Sequence, residues 1–182
     1  MATRGFGRII ERDLGWKHVK AQSAILAKGP QAVIGIRGEE ASAAKQVAEG
    51  EPASSMTLAE VATVHEYGSP SAGIPERSFI RSTVDENLPT YRQMLAGLRT
   101  KIFDPKSGME VRQALLILGQ KVKLDIQTKI RAGMSPPWAD STREKRIARA
   151  GGAIIAETPL IDTGQLVGGI TNDAQFKDGS KI

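Results

Sequence analysis

Of the 182 residues, 25 are lysine or arginine and 20 are aspartate or glutamate, giving a formal charge of +5, and none is cysteine. Disulfides, cysteine metal ligands and cysteine nucleophiles are excluded, and with 4% aromatic residues there are too few rings for a stacking platform on single-stranded nucleic acid. The positive balance permits contact with nucleic acid or an acidic partner, but says nothing by itself about fold or reaction.

The length suits a single domain over residues 1–182. The opening stretch has no apolar leader, and no run approaches the roughly 20 apolar residues that span a bilayer, so a soluble protein made inside the cell is expected. Arg8 to Arg12 reads as a short strand or a first helical turn, with strand the preferred expectation. Trp16, Val19, Ile25 and Leu26 suit a helix over 16–27, stopped by Gly29 and Pro30. Val33, Ile34 and Ile36 predict a buried strand. Residues 39–55 are rich in alanine, glutamate, serine and glycine, with almost no large apolar side chain. They are expected to form a flexible loop or arm that orders against a partner, with a helix over 40–49 as the alternative.

Thr57 and Glu60 have capping-box spacing, so a helix should start there. Leu58, Val61, Ala62 and His65 then share one face, and Gly68 can end the helix. Ser69 to Gly73 is a loop. Pro75 is expected to open a turn that carries Phe79 and Ile80 inward. Leu88, Tyr91, Leu95, Leu98 and Ile102 predict an apolar seam on a helix beginning near Pro89 or a little before, which Asp104-Pro105 ends. Ser107 and Glu110 repeat the capping-box spacing before a long helix from about Gly108 to Arg131. Its seam is Leu115, Leu118, Val122 and Ile126. Ser135 to Trp138 is a rigid connector. Ser141 and Glu144 open a short helix carrying Arg143, Lys145, Arg146 and Arg149. Thr163 is a cap for a turn containing Leu166, and Ile170 to Phe176 is a last strand expected to pair with the strand around Ile34. The fold class is therefore α+β: a small antiparallel or mixed sheet packed on two long helices, with an extended arm.

Two strings carry a resemblance. The first is AxxHExG followed closely by IPxRxFxR, here Ala62, His65, Glu66, Gly68, Ile74, Pro75, Arg77, Phe79 and Arg81; the second is PLIDTGQL, from Pro159 to Leu166. In this order they resemble the neck and tail-completion proteins of tailed bacteriophages, a family of head-tail connector and virion morphogenesis proteins. The resemblance implies a structural virion protein, made in the host cytoplasm and placed at the neck, where homo-oligomeric rings surround the DNA channel. Its neighbours would be the head connector or adaptor and the tail tube or tail terminator. Neither membrane nor cofactor is implied. His65, Glu66, Tyr67, Arg77, Arg81, Asp162 and Thr163 are the expected assembly residues. A minor tail or tail-terminator protein is the near alternative. The long polar stretch at 39–55 and the pair Gly168-Gly169 depart from the family pattern.

Catalytic readings find little support in the sequence. After His65-Glu66, the position where a metalloprotease motif needs its second histidine is Ser69, and the only other histidine is His18. No nucleophile elbow or glycine-rich phosphate loop is present. His65 is expected to be a hydrogen-bonded core or interface residue, and Glu66 to bond a loop amide or an arginine such as Arg77. The basic helix offers two adjoining stripes, Arg143 with Arg146 and Lys145 with Arg149. A solvated face is the plain reading. The functional alternatives are contact with an acidic neighbour or sequence-independent contact with DNA phosphates, the latter weakening steeply with salt.

Overall fold

The branched run around Ile34 pairs with the last strand as expected. In the computed structural model β1 (Pro30–Ile36) and β2 (Ile170–Phe176) are antiparallel, in register from Pro30 opposite Phe176 to Ile36 opposite Ile170. The structure describes residues 15–45, 55–149, 158–161 and 164–182. The expected strand at 8–12, the central part of the expected arm, and Asp162 and Thr163 lie outside the described residues. The helices are α1 (Trp16–Leu26), α2 (Glu39–Ser42), α3 (Leu58–Tyr67), α4 (Arg81–Phe103), α5 (Val111–Ala132), α6 (Asp140–Arg149) and α7 (Gln165–Gly168). The fold is α+β.

Two strands alone are marginal in water and need a covering helix. That helix is α5, which lies across both strands and also packs against α4. Its buried stripe, Val111, Ala114, Val122, Ile126 and Ile130, joins two apolar clusters. Phe79, Tyr91, Leu166, Val167 and Ile170 close the first, and Leu98 and Ile102 the second, with Leu118 touching both. Gly119 permits close approach to the sheet, since a Cβ there would lie 3.1 Å from Asn172 Nδ2. Gly169, part of the expected departure from pattern, has a packing reason too: its Cβ would meet Leu58 Cδ2 at 2.5 Å.

Several boundaries differ from the sequence expectation. In the described part of the arm, Glu39 to Ser42 forms one helical turn, and Ala44 bridges to Thr57. Helix α4 starts at Arg81, with Pro89 inside it, and Pro75 opens no helical turn. In its seam Leu88 and Leu95 stay exposed, while Thr83, Tyr91, Leu98 and Ile102 are buried. Helix α5 begins at Val111 without the box from Ser107. Its first amide donates instead to Gln22 Oε1 of α1, at 3.0 Å. Helix α6 begins at Asp140, one residue before the expected Ser141, and the Ala139 carbonyl accepts from the Thr142 and Arg143 amides.

Candidate functional site

The end of α3 and the start of α4 form a polar corner around one carboxylate. The capping box at Thr57 fixes the start of α3: Glu60 N donates to Thr57 Oγ1 at 3.3 Å and Thr57 N donates to Glu60 Oε2 at 2.7 Å. At its other end Gly68 takes φ 75, and a Cβ there would lie 2.8 Å from the Glu76 amide nitrogen. The chain doubles back, with Ser69 and Ile74 paired and the Arg77 amide donating to the His65 carbonyl at 2.7 Å.

This return brings Phe79, Ile80 and Arg81 under Glu66. Glu66 Oε2 accepts from the Phe79 and Ile80 amides at 2.8 and 2.9 Å. Oε1 accepts from the Arg81 amide at 2.9 Å, the Ser78 hydroxyl at 2.8 Å and Arg81 Nε at 3.2 Å. The carboxylate therefore caps α4 across 15 residues of sequence, satisfying amides that a helix start leaves unpaired and meeting the positive end of its dipole. Burial pushes the Glu66 pKa up, but the bonds from Ile80, Arg81 and Ser78 outweigh it and hold the carboxyl below its ordinary value. Arg81 also reaches the Glu66 carbonyl and the Glu76 carboxylate, and its guanidinium lies 4.6 Å from the centroid of the exposed Tyr67 ring.

Arg77 does not bond Glu66, as the sequence allowed. It is buried, and its Nε and Nη2 each donate at 2.7 Å, to the carbonyls of Pro136 and Pro137. These bonds tie the connector before α6 to the corner. His65 also departs from expectation: its buried Nδ1 has no hydrogen-bond partner among the described residues. Burial, with Arg77 and then Lys45 adding positive charge, lowers its pKa to about 4, so the ring is neutral near pH 7.

His65 and Arg77 share a cavity of about 380 Å³ with Lys45 and with Lys145 and Arg146 of α6. Leu58, Ile74, Leu160 and Leu166 supply apolar walls, and no aspartate or glutamate is among the described lining residues. Leu160 holds φ 70, the left-handed region that a branched side chain rarely adopts. Arg146 is folded onto the site, with Nη1 donating to the Ile161 carbonyl at 2.9 Å and its guanidinium 4.3 Å from the centroid of the Trp138 ring.

The expected assembly residues thus divide. Glu66, Tyr67 and Arg81 belong to the corner, and His65 and Arg77 border both corner and cavity. The basic stripes divide as well. Lys145 and Arg146 line the cavity, Arg143 is exposed, and the side chain of Arg149 lies outside the described residues. Lys45, Ser78 and Trp138 complete the arrangement without a local signal in the sequence. Among the described residues no group of three or more histidine, aspartate or glutamate side chains could hold a metal ion, and no helix is long and apolar enough to cross a membrane. No protein-family model, no curated protein and no solved structure matches the chain.

Proposed function

We propose that this chain is a structural protein of a tailed-phage virion, a tail-completion or head-tail connector subunit at the neck. The supporting observation is the corner itself. The residues that carry the resemblance, Glu66, Gly68, Arg77, Phe79 and Arg81, have architectural work: a long-range helix cap, a tight reversal, a tie to the connector, a core anchor and a bridge over Tyr67. A motif in which Glu66, Arg77 and Arg81 spend their polar atoms on bonds within the chain suits a protein that holds a shape against neighbours.

In this reading the subunit forms a ring around the DNA channel between the head connector and the tail tube or tail terminator. The exposed Tyr67 and half-exposed Arg81 face outward at the corner, where a neighbouring subunit can bury them. Fully desolvated aromatic and arginine side chains are the usual anchors of interfaces. The test is electron microscopy of phage particles assembled without this protein. The expected result is filled heads and finished tails lying apart. Joined particles of normal infectivity would overturn the proposal.

A further inference from the structure

We propose that the basic cavity beside α3 and α6 is a receptor for an acidic peptide segment of another protein, one that offers carboxylates flanking an apolar side chain. This goes beyond the assembly role, and its test uses the isolated chain. The first reason is an unbalanced charge. Arg77 is only 6% exposed, yet it bonds neutral carbonyls alone and pairs with no carboxylate among the described residues. Burying a cation without a counter-charge is costly, and the cost is relieved by a desolvated anion within reach.

The second reason is that the positive groups converge. Lys45, from the segment before α3, and Lys145, from α6, line the same cavity, and neither side chain has an ion pair among the described residues. His65 presents a buried ring nitrogen there without a partner. The one carboxylate next to it in sequence, Glu66, is committed to the start of α4. Arg146 and Gln165 complete the polar rim, while Leu58, Ile74, Leu160 and Leu166 form the apolar part.

Shape decides between the two polyanions that such charge would attract. A duplex presents its phosphates on a convex rod and is met by protruding side chains. Here Arg77 and His65 are recessed, within a cavity of about 380 Å³ and beside apolar walls. Pockets of roughly 300–1,000 Å³ with apolar linings and a few placed polar groups take small ligands or single side chains. An acidic peptide with one apolar anchor satisfies both the charge and the walls.

The test is fluorescence anisotropy at low salt with a fluorescein-labelled peptide of alternating glutamate and leucine. Its glutamine-for-glutamate counterpart, inorganic phosphate and a short duplex DNA serve as competitors. The expected result is saturable binding that weakens by about tenfold or more for the glutamine peptide, and likewise for Lys145→Glu and the double variant Lys45→Glu/Lys145→Glu. Circular dichroism checks that the variants fold, and the exposed Lys145 makes the single variant the safer of the two. In parallel, histidine NMR should show the pKa of His65 rising when the acidic peptide is added. No binding at low salt, equal binding of the glutamine peptide, or undiminished binding by both variants would each overturn the proposal. Displacement of the acidic peptide by phosphate or duplex DNA more readily than by unlabelled acidic peptide would also overturn it.

Discussion

The two sides of His65-Glu66 solve the problem of a buried polar group in opposite ways. At Glu66 one carboxylate meets five donors within 3.2 Å, three of them backbone amides fixed by the start of α4. One residue earlier, His65 faces a cavity where cations gather and no carboxylate is described. The contrast teaches that neighbouring residues of one motif can divide the work, the first side complete within the chain and the second open to a ligand. Completed polar networks rigidify a fold. Unbalanced ones are where function is best sought.

The largest effect should come from deleting the completed side. Glu66→Ala leaves the Phe79, Ile80 and Arg81 amides without their acceptor, and a loss of about 4 kcal/mol is expected in urea denaturation. Acid should then distinguish the two sides. Because the folded-state pKa of His65 is lowered from 6.5 to about 4, the unfolded chain takes up that proton first as pH falls. Stability is full above pH 6.5 and declines by on the order of 3 kcal/mol toward pH 4. Glu66, also held below its ordinary value, adds a further loss as pH falls below about 4.5. Denaturation midpoints across this range should show both steps, and His65→Gln should remove only the upper one.

Smaller changes sharpen the comparison. Gly68→Ala forces a Cβ against the Glu76 backbone at a positive φ, and about 2 kcal/mol should be lost in thermal or urea melts. Arg81→Ala removes a guanidinium whose side chain is 49% exposed. Its ion pairs are screened by solvent, so a small loss that shrinks with added salt is expected from the same melts.

How much of this was legible in the sequence depends on how far each partner lies along the chain. The box at Thr57 was readable because donor and acceptor are three residues apart, and it forms as read. The pairing of β1 with β2 was also readable, since the branched run of Val33, Ile34 and Ile36, bounded by glycine, needs a partner strand. The start of α4 was not, because its cap is Glu66, and Pro89 then looked like the stronger boundary. The spacing at Ser107 misled for the same reason: Gln22, 89 residues away, caps the first amide of α5. For the cavity, the basic residues of α6 were visible as a helix face. Their meeting with His65, Arg77 and Lys45 is a product of tertiary packing, and no local pattern marks Lys45.

Paired substitutions that each remove one charge test the division most directly. Glu66→Gln and Lys45→Gln would be compared by urea denaturation at neutral pH. The account predicts a loss of about 3 kcal/mol for the first. For the second, which removes one of the positive charges that share the cavity with Arg77, it predicts no loss or a slight gain, within about 0.5 kcal/mol. Equal stability of the Glu66 variant and the parent, or a loss for the Lys45 variant as large as that for Glu66, would contradict it.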